Sequence, residues 1–354
     1  MKRVTFFRSL ATTLIACVFS LPGHAQEATA FFSPPEDTAD ITLTIRSTTD
    51  ITTFAQLLDA FVATHPNVEL HYEQWGSNNL YVDSLSACDG RRQSADVVIS
   101  SGVHQMVDLV NRACASAYQS DLTAQLPLHR KWRDELWGIT REAAVIVYNK
   151  SLVPAADVPR TRFALLDLMR RPSNAYRGRI ATYDIERSGL GFLFAFMDSQ
   201  QATTFGGMLE SFSRADAVAT CCSAELIASV NDGQYKIAYN VLGSYVDRTS
   251  YRNLGVIFPE DYTMYLSRAL MIPKDARHKE AAAQFLDFLL SPEGRALLQE
   301  ANLIQNSDQA ENLRSDSNDR YIPIAPTLLV AMDAHRRDQF IAKWHDSFKA
   351  EDAP

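Results

Sequence analysis

Two periods of apolar residues run along this chain, and where they change marks the elements. Ile41 to Ile45 alternates threonine with aliphatic residues and predicts a strand, closing on Arg46-Ser47-Thr48-Thr49-Asp50. Phe54 to Thr64 shifts to helical spacing, and His65-Pro66-Asn67 stops that helix. Val68 to Tyr72 predicts a second strand, Asn79 to Ala87 a helix, and Ala95 to Ile99 a third strand ending in Ser100-Ser101-Gly102. A β-α-β-α-β order predicts a parallel sheet, with ligands bound outside the carboxyl ends of its strands. Gln26 to Asp40, which holds a double proline, reads as a linker ahead of that sheet.

The middle of the chain changes character. The polar turn Thr140-Arg141-Glu142 leads into Ala143 to Val147, an apolar run that closes on Tyr148-Asn149-Lys150. The run is too short for a helix with its own core and reads as a strand buried on both faces. A helix over Ala164 to Arg170 follows, then a loop and strand at Tyr176 to Ile180. Leu190 to Met197 is helix-like, which puts Ser188 and Gly189 at a helix N-terminus. Unpaired N–H groups and the positive dipole end make such a terminus an anion site, with simple capping by Ser188 as the alternative. Cys221 to Leu226 opens another helix, with Cys222 or Ser223 near its cap, and Tyr235 to Tyr239 is a strand leading to Asn240-Val241-Leu242-Gly243-Ser244-Tyr245. Gly255 to Phe258 and Tyr265 to Ile272 read as strands, and His278 to Leu290 as a helix. Ser291-Pro292-Glu293-Gly294 starts the next helix: Ser291 caps, Pro292 takes the first helical position and Glu293 suits the dipole. Asn306 to Asp319 is polar and loop-like, and Thr327 to Lys349 reads as a closing helix.

A strand ending in V-Y-N-K and entered through a polar turn resembles the first inter-domain crossover of the periplasmic solute-binding proteins of ABC importers. The ferric-ion-binding type and the phosphoglycerate-transport regulatory type are the most similar. F-L-D-F-L-L followed by S-P-E-G, at Phe285 to Gly294, is a phrase that recurs in such proteins. The resemblance implies an α/β fold of the type II periplasmic binding class, with two α/β lobes joined by a two-strand hinge and a ligand cleft between them. The expected division is a signal peptide over 1–25, a linker over 26–40, lobe one over 41–141 and 263–354, and lobe two over 142–262, with crossovers near Arg141–Val145 and Tyr262–Ala269. It also implies an anion held against Ser188-Gly189 and a cleft role for Asn240. The ferric-binding type follows that asparagine with two adjacent tyrosines that hold iron. Here only Tyr245 remains, displaced beside Gly243-Ser244, which argues against direct ferric ligation and for an organic or phosphorylated anion.

The candidate cleft therefore has two walls. One carries Arg187, Ser188, Gly189, Ser223, Asn240, Ser244 and Tyr245, the other Ser47, Thr48, Ser100, Ser101 and Arg141. Hydroxyls, helix N-termini and guanidinium groups are donors, which suit carboxylate or phosphate oxygens. No metal or cofactor is expected, and the chain is expected to act as a monomer. Two partners fit such a protein, a membrane permease that accepts the ligand or a membrane histidine kinase that senses the closed form.

Composition narrows this further. The chain has 354 residues, 46% hydrophobic and 21% charged, enough for two domains with real cores. Its formal charge of −8 deepens to −11 once a leader carrying Lys2, Arg3 and Arg8 is removed, which argues against nucleic acid or an anionic membrane surface as partner. That leader is basic, then apolar from Leu10 to Leu21, with Gly23 and Ala25 suiting cleavage before Gln26 and export to the periplasm. Leu14-Ile15-Ala16-Cys17 resembles a lipoprotein box, but the apolar run continues past Cys17 and favours a soluble product. Export permits disulfides. Four later cysteines allow three pairings, and Cys88 with Cys114, in one lobe, is the favoured one, leaving Cys221 and Cys222 free. Nothing points to catalysis. No G-x-S-x-G or H-E-x-x-H occurs, Gly206-Gly207 lacks the lysine of a phosphate loop, and Asp184 and Glu186 read as solvated loop carboxylates.

Overall fold

The computed structural model describes residues 26–35, 38–172, 174–246, 251–305 and 318–348. The expected leader, its cleavage site and Cys17 lie outside these residues, as does most of the polar stretch at 306–319.

Among the described residues the strands gather into two sheets of seven. In the first, the order is β1 (Gln26–Phe32), β3 (Val68–Trp75), β2 (Ile41–Ser47), β4 (Val97–Ser100), β13 (Ala269–Met271), β6 (Leu136–Gly138) and β5 (Lys131–Trp132). β2 runs parallel to both β3 and β4, so the β-α-β-α-β unit legible in the sequence forms as expected. The helices α1 (Ile51–Thr64), α2 (Ser77–Cys88) and α3 (Val103–Asn111) connect and cover these strands. On α1, Phe54, Leu57, Leu58, Phe61 and Val62 recur at helical spacing and are buried against Phe285, Leu286 and Leu289 of α9 (Lys279–Leu290). Cys88, ending α2, is bridged to Cys114 beyond α3, while Cys221 and Cys222 are free.

The 26–40 segment departs from its reading as a linker. Gln26–Phe32 pairs antiparallel with β3 and forms the edge of the sheet. An edge strand with one half-exposed face lacks the apolar alternation that betrays a strand.

The second sheet is built on β7 (Glu142–Asn149), whose Ala143 to Val147 are fully buried. Around it lie β14 (Asp319–Tyr321), β12 (Thr263–Leu266), β10 (Ile237–Leu242), β8 (Ile180–Tyr183), β9 (Val218–Thr220) and β11 (Leu254–Ile257). Its helices are α5 (Arg162–Arg170), α6 (Gly189–Gln201), α7 (Phe205–Arg214) and α8 (Ser223–Asn231).

The chain crosses between the sheets at two closely paired passages, and a third time on its way from β13 to β14. The first passage, Ile139–Arg141, lies between β6 and β7. The second, Ser267–Arg268, splits what reads in sequence as a single strand from Tyr265 to Ile272. The passages are bonded to each other: Ile139 N–H donates to Arg268 O at 2.9 Å, Arg268 N–H to Thr140 Oγ1 at 2.8 Å and Ser267 Oγ to Thr140 O at 2.5 Å. A Cβ at Gly138 would overlap the Ser267 side chain, so this close approach requires glycine there. Thr263–Leu266 therefore pairs within the second sheet, beyond the 262/263 boundary read from sequence.

The C-terminal segment also differs from its assignment to lobe one. Pro326–Met332 forms a 3-10 turn packed on α3, and α11 (Ala334–Phe348) then packs on α7. Ile341 and Trp344 join the core of the second lobe beside Phe212, and Phe340 meets Phe192, Phe196 and Phe205. The closing helix thus belongs by packing to the second sheet, because its apolar stripe matches the aromatic face of α6 and α7.

Candidate functional site

The two lobes touch at the N-terminus of α6. Gly189 N–H donates to Ser77 Oγ of α2 at 2.9 Å, and Asn78 Nδ2 donates to Glu186 O at 2.6 Å. Next to this contact lies a cavity of about 190 Å³ that both lobes line. From the first lobe come Thr48, Asp50, Gln74, Ser77, Ser101 and Arg268, with Glu27 of β1 at the edge. From the second come Tyr183, Arg187, Ser188, Cys221, Cys222, Ser223 and Tyr245.

Of the residues singled out from sequence, Thr48, Ser101, Arg187, Ser188, Ser223 and Tyr245 meet around this cavity. Ser188 Oγ accepts from Gly191 N–H at 3.0 Å and so caps α6, while Gly189 N–H is taken by Ser77. The end of α8 is different. Cys222 stands at its cap position without a side-chain cap bond, with its sulfur 3.9 Å from the Glu225 carboxylate of the first turn, and Cys222, Ser223 and Ala224 at this end of α8 line the cavity. Ser223 Oγ bonds the Tyr183 hydroxyl and accepts from Leu242 N–H at 3.4 Å. Thr48 Oγ1 accepts from Ser101 N–H at 2.9 Å and lies 3.2 Å from Ser101 Oγ, which ties the ends of β2 and β4 together.

The other six serve the scaffold. Ser47 Oγ accepts from Thr49 N–H and Ser100 Oγ from Gly102 N–H, each at 3.0 Å, closing the turns at the two strand ends. Gly189 is held by Ser77. Ser244 Oγ donates to Glu142 Oε2 at 2.5 Å. Asn240 has a left-handed backbone, φ 60°, and its Nδ2 donates to buried Asp198 at 2.6 Å, on the side of β10 away from the cavity.

Arg141 is the main correction. It is buried on the far side of the crossover, between the rings of Tyr265 and Tyr321, with Nη2 donating to Tyr321 OH at 2.6 Å and 3.7 Å from Asp319 Oδ2. Neighbours along a strand point to opposite faces. Glu142 faces the cleft, so Arg141 faces away.

The guanidinium at the cleft belongs to Arg268. Its Nε donates to Glu142 Oε1 at 2.8 Å and Nη2 to Glu142 Oε2 at 3.1 Å, a paired geometry. Burial pulls this guanidinium down, and Glu142 more than reverses that, so Arg268 stays charged. Tyr245 OH lies 3.5 Å from both Arg268 Nη2 and Asp50 Oδ1. Burial pushes its phenol up to about 12, against the pull of Arg268. Burial likewise raises the Asp50 carboxyl, with Arg268 opposing. Across the cavity the Cys222 sulfur draws the Cys221 thiol down to about 7, with Arg187 adding to the effect. Among the described residues no group of three or more His, Cys, Asp or Glu side chains gathers as a metal site. The signal for Arg268 was present in the sequence: one arginine inside the apolar run Tyr265 to Ile272 demands a buried acidic partner.

Residues 46–296 match the family described as bacterial extracellular solute-binding protein. The chain belongs to that family. It is thus an extracellular solute-binding protein of the ABC-transporter kind. No curated protein matches the chain by sequence. Among solved structures, this solute-binding protein is similar to the substrate binding protein of an ABC transporter from Agrobacterium tumefaciens, at 27% identity and TM-score 0.85, covering 91% of this chain and 98% of that one. A ferric binding protein from Campylobacter jejuni shares the fold at 18% identity and TM-score 0.65, covering 86% and 99% of the two chains. So does the periplasmic binding protein AfuA from Actinobacillus pleuropneumoniae, solved with fructose-6-phosphate, at 15% identity and TM-score 0.67, covering 88% and 99%.

Proposed function

We propose that this solute-binding protein is exported to the periplasm, captures a small ligand bearing an anionic group by closing its lobes, and delivers it to the permease of an ABC importer. The observation that carries the reading is the N-terminal end of α8, which lines the inter-lobe cavity with Arg187 beside it and the Ser223, Thr48 and Ser101 hydroxyls around it. Arg187 makes no ion pair with another described residue and is exposed at the rim, so its charge is available to a ligand. Helix N-termini and guanidinium groups together favour carboxylate or phosphate oxygens. Direct ferric ligation is the weaker reading, since both phenols that line the cavity are engaged, Tyr183 by Ser223 and Tyr245 by Arg268 and Asp50.

Calorimetry on the purified chain against carboxylates, phosphorylated acids and ferric chelates tests this. Arg187→Ala is expected to weaken binding by about 1.5–3 kcal/mol, ten- to hundredfold. Tight binding of a neutral sugar, with no response to any anion, would overturn it.

A further inference from the structure

The walls of the cavity carry opposite charge. On the first lobe, Arg268 is saturated. Besides the two bonds to Glu142, Nη1 donates to Thr48 O at 3.2 Å and to Thr49 Oγ1 at 3.0 Å, and Nη2 reaches Tyr245 OH at 3.5 Å. All five N–H groups of the guanidinium are therefore directed at protein acceptors, and its charge is matched by Glu142.

Asp50, in the same wall, has the reverse problem. It stands at the cap position of α1, where an aspartate normally accepts from the helix amides, yet its side chain makes no cap bond. Ile51 N–H donates to Gln74 Oε1 at 3.1 Å, and Thr53 N–H is taken by the Asp50 backbone carbonyl at 3.0 Å. The Asp50 carboxylate turns to the cavity, where its contacts are long: 3.5 Å to Tyr245 OH and 3.4 Å to Gln74 Nε2. Gln74 Nε2 also reaches Glu27 Oε2 at 3.3 Å, so one amide is shared between two carboxylates that both line the cavity. A carboxylate accepts about four hydrogen bonds. Asp50 is left with two weak neutral donors in a partly desolvated place, having given up a helix cap to be there.

We propose that the ligand is a zwitterion, whose positively charged nitrogen is read by Asp50 while its anionic group meets Arg187 and the end of α8. This rests on the anion reading above and adds a second half to it. A purely anionic ligand would bring its charge against Asp50 and Glu27 with no free cation on that wall. An ammonium completes the acceptor set of Asp50 and balances the cavity. Asp50 is then a specificity-determining residue, and Glu27 supplies a second negative charge at the mouth.

The test uses matched pairs that differ only in the amine: β-alanine against propionate, taurine against ethanesulfonate, and phosphoethanolamine against ethyl phosphate, by calorimetry at neutral pH. At least one amine-bearing member is expected to bind thirtyfold or more tighter than its partner. Asp50→Asn should weaken that member ten- to hundredfold and erase the preference, without lowering the melting temperature, since no cap bond is lost. Amine-free members binding as tightly as their partners, or a preference that survives Asp50→Asn, would overturn the proposal. A second measurement does not depend on the choice of probe: mass spectrometry of the ligand released by denaturing protein purified without additives. A released molecule with both an acidic group and a basic nitrogen supports it. A released anion without basic nitrogen overturns this inference and leaves the anion reading standing. A neutral molecule overturns both.

Discussion

Arg141 and Arg268 stand on the two paired passages between the lobes, and both are almost fully buried. They answer to different demands. Arg141 is packed between two tyrosine rings and bonded to a phenol and a backbone carbonyl, with its carboxylate partner, Asp319, no closer than 3.7 Å. Arg268 faces the cavity with Glu142 across two bonds, and its neighbours Thr49, Tyr245 and Asp50 extend that network to the ligand wall. One arginine fixes the outside of the hinge to β14, and the other holds the floor of the site. Identical charge and burial carry little information about function. The face of the strand decides it.

The sharpest way to break this contrast is Glu142→Gln. It leaves Arg268 without its counter-charge inside the hinge, and unpaired buried charges cost about 3–5 kcal/mol. Urea unfolding should show that loss, with much of it recovered in the double variant Glu142→Gln, Arg268→Met. A cost equal to that of an ordinary surface change would mean that the pair does not anchor the crossing.

Arg141→Gln is expected to be milder, about 1–3 kcal/mol, through lost packing and hydrogen bonds. Ligand affinity should stay within about twofold of the parent, while Arg187→Ala weakens it. An affinity loss on Arg141→Gln as large as on Arg187→Ala would erase the distinction between the two faces.

A third comparison runs through pH. Burial raises the Asp50 carboxyl in the folded protein, so the native state holds that proton more tightly than the unfolded chain. Asp50 therefore contributes stability at low pH that is lost as pH rises through the raised value. In ligand-free protein, Asp50→Asn should gain stability relative to the parent as pH rises from the ordinary carboxylate range through the raised value, read from unfolding midpoints. A parent and variant that track each other from acid to neutral pH would show that Asp50 is not strained by its place in the cavity.

The smallest effect concerns the wall opposite Arg268. Cys221 is half-buried, Cys222 is exposed, and both line the cavity. Bound ligand should slow alkylation of Cys221 several-fold, with the Cys88–Cys114 bridge untouched. Equal rates with and without ligand would place the ligand away from α8.

Much of the architecture was open to reading because local rules and global fold agree. Ala143 to Val147 reads as a central strand and is one, since a two-sided burial leaves no polar alternation. Ser291 caps α10 (Pro292–Glu300) through Gly294 N–H, as the S-P-E-G spacing implies. Edges and contacts between distant segments were harder. Gln26–Phe32 has no buried stripe of its own, and nothing local says that Trp344 will pack beside Phe212. The site divided along the same line. Hydroxyls at strand ends and helix starts, such as Thr48, Ser101 and Ser223, are placed by their elements. Arg141 was misassigned because the turn before β7 gives no clue to the facing of its first residues. Asp50 and Arg268 were passed over, one at the end of the polar stretch that closes the first strand and the other inside an apparent strand.

The packing of α11 on the second lobe has a practical corollary. The described chain begins in the first sheet and ends on the second lobe, so its two ends ride on different halves of the hinge. Ala28 and Lys343 are both exposed and neither lines the cavity. Fluorescent labels at these positions, in a chain with Cys221 and Cys222 replaced, would move with opposite lobes. Energy transfer between them would then report ligand capture as a change in distance, in a readout that needs no dye near the site.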